Sequence, residues 1–106
     1  MNKTQESVTA LIEIKVTPKA KYGYSDIAKT IAQFKEVDSV HLMSGNFDLI
    51  LTVKCDSLQK VGRFVDEHLS ALDGVLSTAT HFVIGCYKES GEILNPDEDD
   101  RGMYTV

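Results

Sequence analysis

Residues 40–51 read VHLMSGNFDLIL, and this stretch decides the fold. Its centre, residues 44–46, is Ser-Gly-Asn, three residue types that favour turns. Apolar residues recur on both sides of that centre, which predicts one strand over residues 37–43 and another over residues 47–53. Two strands joined by so short a link predict an antiparallel hairpin.

Upstream of the hairpin, residues 8–17 alternate between apolar and mixed positions, which predicts a strand with one buried face. The buried face comprises Val8, Ala10, Ile12, Ile14 and Val16. Pro18 ends this strand because proline has no N–H to donate to a sheet. Residues 19–24 then form a short connection.

A first helix is predicted between this strand and the hairpin. Ser25 is its expected N-cap, because a serine side chain accepts from the free N–H groups of a first turn. Ile27, Ile31 and Phe34 recur at helical spacing and form its buried stripe up to about Glu36.

A second helix and a last strand are predicted after the hairpin. Ser57 is the expected N-cap of this helix, and Gly74 ends it as a left-handed cap. The apolar stripe comprises Leu58, Val61, Val65, Leu69 and Leu72. The last strand is predicted over residues 75–87, with Phe82, Ile84 and Cys86 on one side. From residue 88 the chain becomes polar and acidic, and we expect most of it to be mobile or to pack on a neighbouring subunit.

The predicted order is strand, helix, strand, strand, helix, strand. Two strand–helix–strand units that share one antiparallel sheet make an α+β, ferredoxin-like βαββαβ fold, with both helices on one face of the four-stranded sheet. The other face would be bare in a monomer. We place on it Leu11, Ile50 and Val83, mixed with Thr52 and His81. Such a face is commonly covered by a second subunit, so a dimer through this face is expected.

Composition narrows the possible functions. The chain has 106 residues, enough for one domain, and a formal net charge of -5, which argues against unspecific nucleic-acid binding. No apolar run is long enough to span a membrane, and the N-terminus lacks the apolar core of a signal peptide. The spacing of Cys55 and Cys86 fits no metal or redox motif, and reduced thiols indicate the cytoplasm.

Two motifs resemble one known family. Residues 44–48, Ser-Gly-Asn-Phe-Asp, resemble the signature hairpin of the effector-binding (RAM) domain of the Lrp/AsnC family, and residues 74–80, GVLSTAT, resemble its link from second helix to last strand. The preceding residues 64–69 also fit the family's second helix. The resemblance covers roughly residues 8–88 and implies the same fold, a homodimer or higher oligomer, and an amino-acid effector.

The chain departs from the family pattern at both ends. Only seven residues precede the first predicted strand, whereas the family's transcription factors carry a helix-turn-helix domain there. We therefore expect a flexible N-terminus (residues 1–7), a RAM-like ligand-binding domain (8–88) and an acidic C-terminal tail (89–106). As a stand-alone effector domain it would not contact DNA directly, and full-length Lrp/AsnC relatives are its expected regulatory partners.

The resemblance also implies the ligand site. In the family, effectors bind between dimers near the hairpin turn and the start of the last strand. The corresponding residues are Ser44, Gly45, Asn46, Phe47, Asp48, Thr78 and Thr80. Asp48 would accept from the ammonium of an amino acid, and backbone N–H groups around Gly45 would meet its carboxylate. Equally, the turn needs no ligand to form, and Asp48 can cap backbone N–H groups.

Other functions remain open from the residues alone. A small dimeric ferredoxin-like enzyme would need His41 or His81 in a cavity between sheet and helices. A ligand-free assembly module, or a related ACT-type regulatory domain, would fit the same pattern of elements. No nucleophile has an evident base partner, and no spacing suggests a metal or another cofactor, so we expect a protein that is not an enzyme and has no cofactor.

Overall fold

The computed structural model describes residues 7–17 and 23–94. The strand end predicted at Pro18, most of the connection that follows it, and the strongly acidic part of the tail lie outside the described residues.

Nine elements follow one another in the described chain. They are β1 (Val8–Val16), α1 (Gly23–Ala32), β2 (Val37–Leu42), β3 (Leu49–Cys55), α2 (Leu58–Phe64), the π-helix (Val65–Leu69), β4 (Val75–Phe82), β5 (Lys88–Glu89) and β6 (Glu92–Ile93). The first four strands form one antiparallel sheet in the order β2-β3-β1-β4. The predicted ferredoxin-like βαββαβ arrangement is therefore confirmed.

The core lies between one face of the sheet and the helices. Alternate residues of the two central strands are buried, as the period of two requires. The sheet contributes Ala10, Ile12, Ile14, Val16, Leu49, Leu51, Val53 and Cys55, and the helices contribute Ile27, Ile31, Val61, Phe64, Val65 and Leu69. No helix in the described parts of the chain is long and apolar enough to cross a membrane.

The opposite face of the sheet, here called the open face, has no helix on it. The register places Leu11 directly beside Thr52 of β3 and His81 of β4, while Ile50 lies beside Glu13. The face predicted from alternation is therefore confirmed. His41 also lies on this face, opposite Ile50, so two other strands separate it from His81.

The first helix differs from its prediction at both ends. α1 begins at Gly23, so Ser25 lies inside its first turn and the predicted N-cap is wrong. Ile27 and Ile31 are buried as expected. The helix ends at Ala32, before Phe34, which follows in a turn and packs edge-on against Phe64 with ring centroids 5.5 Å apart. The predicted apolar residues do face the core, but Phe34 reaches it from the turn after the helix and not from the helix itself.

The second helix keeps its predicted cap but not its whole stripe. The Ser57 side chain accepts a hydrogen bond from the Lys60 N–H, which confirms the N-cap. Leu58 is exposed, and Phe64 is buried in its place. Phe64 lies three residues after Val61 on the buried face of α2 and packs against Phe34. The π-helix follows, and in it the Ser70 N–H bonds to the Val65 carbonyl five residues back.

Two strands also have boundaries that differ from the predicted ones. β3 runs from Leu49 to Cys55, two residues later than predicted, because Phe47 remains in the turn. β4 ends at Phe82 instead of continuing to residue 87, and Ile84 is 98% exposed, so the predicted shared side of residues 82, 84 and 86 is wrong. Residues 88–94, expected to start a mobile or subunit-packing tail, contain the small hairpin of β5 and β6.

Candidate functional site

The hairpin turn is closed by the backbone of the chain itself. The Met43 N–H donates to the Asp48 carbonyl at 2.8 Å, and residues 44–46 are exposed beyond this bond. Gly45 has φ +112°, a conformation that L side chains rarely adopt. The turn therefore requires glycine for its backbone geometry, whether or not it holds a ligand.

Asp48 joins this turn to β1. Its backbone N–H donates to the Ile14 carbonyl at 2.9 Å, and its carboxylate Oδ2 accepts from the Val16 N–H at 2.8 Å. Part of the acceptor capacity that the sequence suggested for a ligand ammonium is thus used inside the chain. Whether Asp48 also contacts a ligand stays a prediction.

A small pocket of about 120 Å³ connects the turn with the start of β4. Three residues predicted for the site line it, namely Asn46, Phe47 and Thr78. The other lining residues are Glu13, Lys15, Ser77 and Ala79. The structure therefore brings the two predicted segments together within one chain, and the binding of an effector there stays a prediction.

The remaining predicted residues do not line this pocket. Ser44 and Gly45 project into solvent at the tip of the turn. Thr80 pairs with Ile12, whose side chain is buried under the helices, so Thr80 faces the helix side of β4. Thr78 pairs with Ile14, which is also buried, and therefore lies on the same helix side. The difference is one of position along the strand, because Thr80 is two residues farther from the turn than Thr78.

Glu13 and Lys15 were not predicted from the sequence as residues of the site. They lie two positions apart on β1, so both project to the open face beside the turn. The Lys15 ammonium donates to the Asn46 carbonyl at 2.5 Å, and the Glu13 carboxylate lies 3.3 Å from His81 Nε2. The signal that could have identified them is a pair of opposite charges on a strand face that otherwise carries Leu11.

One larger cleft has a less suitable lining for a zwitterion. An open groove of about 640 Å³ between α1 and the edge strand β2 is lined mainly by apolar residues such as Ala28, Val40 and Leu42. Such a lining offers one cation, Lys29, and no carboxylate. Three other clefts, of about 340, 450 and 460 Å³, are lined by both acidic and basic side chains, as the pocket at the turn is. The pocket at the turn is the candidate because it joins the two predicted segments.

The thiols and histidines do not form a catalytic arrangement in the described residues. Burial raises the pKa of the Cys55 thiol, and a hydrogen bond from Cys86 to the Glu89 carboxylate raises the pKa of Cys86, so neither is activated as a thiolate. His68 lies on the helical layer against Phe34 and Phe64. Among the described residues, no three potential metal ligands cluster.

Replacing Asp48 with alanine is expected to lower the free energy of unfolding by about 1–2 kcal/mol, because the part-buried Val16 N–H loses its acceptor. Asp48→Asn keeps an oxygen in place and should cost less. Urea denaturation at fixed protein concentration measures both. Asp38→Ala is the control, since its exposed carboxylate is 4.0 Å from Lys54. Equal losses for Asp48→Ala and Asp38→Ala would contradict the prediction.

A ferredoxin-like sheet with a small pocket of mixed charge at one end has the layout of a small-molecule-binding regulatory domain. Residues 9–93 match the family model described as the Lrp/AsnC ligand binding domain. The chain therefore belongs to this family. The match extends five residues beyond the predicted domain end at residue 88 and so includes β5 and β6.

Relatives with curated names are transcriptional regulators. The uncharacterized HTH-type regulator YugG of Bacillus subtilis is 46% identical over 96 residues, covering 91% of this chain and 58% of that protein. The proline dehydrogenase transcriptional activator of Rhizobium radiobacter is 29% identical over 82 residues, covering 77% of this chain and 53% of the activator. The chain thus spans little more than half the length of these relatives.

Solved structures share the fold. FFRP-DM1 superposes with a TM-score of 0.66 at 25% identity, covering 73% of this chain and 99% of that one. A transcriptional regulator from Neisseria meningitidis, solved as a complex with L-Met, has a TM-score of 0.73 at 24% identity and covers 83% of this chain and 56% of its own.

Proposed function

We propose that this domain binds an amino acid in the pocket between the hairpin turn and β4, and that binding regulates transcription through Lrp/AsnC-type regulators. The observation that carries the proposal is that Glu13 and Lys15 place opposite charges in the pocket that joins the hairpin turn to the start of β4. The effector-binding role of the family supports it. The Neisseria regulator, solved with L-Met, is a protein of the same fold that holds an amino acid.

The chemistry of the pocket suits a zwitterion. The Glu13 carboxylate would accept from the ligand ammonium, and the Lys15 ammonium would pair with the ligand carboxylate. Asn46 and Ser77 contribute further polar groups to the lining. Phe47 provides an apolar wall for the ligand side chain.

A second subunit is expected to complete the site. Pockets that hold small molecules usually measure roughly 300 Å³ or more, and this one measures about 120 Å³ and opens to solvent. We propose that the chain forms a dimer through the open face, where Leu11, Ile50 and Val83 lie, and that dimers assemble further around the turn. Full-length relatives could enter the same assembly.

The domain is proposed to be neither an enzyme nor a direct DNA-binding protein, and to act in the cytoplasm. The protonated thiols support the first statement. The net charge of -5 supports the second. A sequence-specific DNA complex that survives physiological salt would contradict it.

An amino-acid panel tests the proposed ligand. At least one common amino acid should raise the melting temperature, because a ligand that binds only the native state stabilises it. Lys15→Met should weaken binding of that amino acid roughly tenfold or more, because the ligand carboxylate loses its partner. Titration calorimetry measures the affinity, and Lys29→Met on α1 is the matched control. An unchanged affinity in Lys15→Met would remove Lys15 from the site.

A ligand-free assembly module is the second candidate. It is favoured by the internal bonds of Asp48, which complete the turn without a ligand. An oligomer that no amino acid stabilises would support this candidate over the first.

A further inference from the structure

The segment after β4, residues 83–94, forms an arm with its own hairpin. β5 and β6 are two residues each, joined by Ser90 (φ 51°) and Gly91 (φ 83°). Positive φ at both central residues is the geometry of a type I′ turn. The Leu94 N–H donates to the Tyr87 carbonyl at 2.8 Å and extends the ladder by one bond. The arm is therefore an ordered element with little internal bonding.

The arm carries an unusual share of exposed apolar side chains. Ile84 is 98% exposed and Ile93 is 71% exposed, the highest values among the large apolar residues of the described chain. The others in the arm are Val83, Tyr87 and Leu94. A two-stranded hairpin of this size is at best marginally stable in water. To be stable, the hairpin therefore needs an apolar surface to pack against, and the described part of this chain does not provide one.

The arm lies at the rim of the open face. The Val83 N–H donates to the Thr9 carbonyl at 2.9 Å and so continues the pairing of β4 with β1. A cleft of about 460 Å³ separates the arm from the sheet. One wall includes Thr9, Thr52 and Lys54 of the sheet, and the other includes Val83, Cys86 and Glu89 of the arm.

We propose that the arm is a clasp for a second copy of this chain, with Ile84 and Ile93 packing on the partner subunit and the cleft receiving part of it. The inference rests on the proposed dimer through the open face. A two-fold pair that meets on this face brings each arm to the rim of the other sheet, because the arm begins where β4 leaves the sheet. The apolar Leu11 and Ile50 on the face and the apolar arm then form one continuous surface.

The test compares dimer affinity in matched variants. Ile84→Ser combined with Ile93→Ser should weaken the dimer at least tenfold by sedimentation equilibrium. Leu76→Ser is the control, because Leu76 is also exposed (62%) but lies at the opposite end of β4, and its dimer should match the parent. An unchanged dimer in the arm variant would overturn the clasp and leave the proposed dimer standing. A monomeric parent would overturn both.

If the arm variant does not fold, hydrogen exchange on the parent protein gives a second test of the proposal. Backbone amides of residues 88–94 should exchange slowly in the dimer and quickly after dilution to monomer, while β1 stays protected in both. Arm amides protected equally at both concentrations would show packing on the same subunit. Arm amides unprotected at both would show an arm free for another protein. Either result would overturn the proposal.

Discussion

Leu51→Ala is expected to lower the free energy of unfolding by about 3 kcal/mol, within the 2–5 kcal/mol range typical of buried leucines. Leu51 is fully buried in β3 and pairs with Ile12 on one side and Val40 on the other. The cavity that the substitution leaves cannot close unless both the helices and the sheet move. For a domain with a total stability of roughly 5–15 kcal/mol, this is a large fraction.

Leu76→Ala is the matched control for Leu51→Ala. It removes the same atoms from a side chain that is 62% exposed at the start of β4, so the loss should stay below about 1 kcal/mol. Urea denaturation of both variants at one protein concentration measures the difference, because assembly makes stability concentration-dependent. Similar losses in the two variants would contradict the layered core.

Ile50→Lys is expected to weaken the proposed dimer by about 100-fold or more. A lysine at the centre of the open face would place a charge in the interface, and a buried charge without a partner costs about 3 kcal/mol or more. The monomer should keep its fold, because Ile50 lies on the open face and is not part of the core between the sheet and the helices. Sedimentation velocity across a concentration series measures the change.

Leu58→Lys is the control for the interface. Leu58 is 53% exposed on the helical side, away from the open face, so this variant should assemble like the parent. If Ile50→Lys also stays dimeric, the open face is not the interface. If Leu58→Lys dissociates instead, the helical layer forms the contact.

The proposed ligand pocket and the proposed interface share residues and are therefore expected to influence each other. Glu13 lines the pocket, is the cross-strand neighbour of Ile50, and has its carboxylate 3.3 Å from His81 Nε2 on the open face. A ligand that engages Glu13 would change the charge arrangement at the interface. By linkage, any effect of ligand on dimer affinity must equal the effect of dimerisation on ligand affinity.

Much of the fold followed from the sequence because one face of each strand had to be apolar. Alternation in β1 identified Ala10, Ile12 and Ile14 as core residues, and the turn chemistry at Gly45 identified the hairpin. The ends of the helices and strands were harder to predict from the sequence. Nothing local showed that Phe64 would replace Leu58 in the core, since the face of α2 that is buried depends on its packing against the sheet and against Phe34.

The candidate site was predicted only in part, because part of its lining comes from a strand that is distant in the sequence. The turn and the start of β4 were named from their motifs, and the pocket contains Asn46, Phe47 and Thr78 from those segments. Glu13 and Lys15 were not named, because they lie far before the turn in the chain, on β1. Only the pairing of β1 with both β3 and β4 brings them to it.

By itself, the sequence determined the order of elements, the buried face of the central strands, the Ser57 cap and the turn at Gly45. These features depend on periodicity and on the backbone preferences of single residues, which act locally. The tertiary structure alone decided the Asp48 bond to Val16, the charged lining of the pocket and the arm beyond Phe82. Each of these depends on which strands become neighbours and where their pairing stops, and that choice is made by packing the whole sheet against its helices.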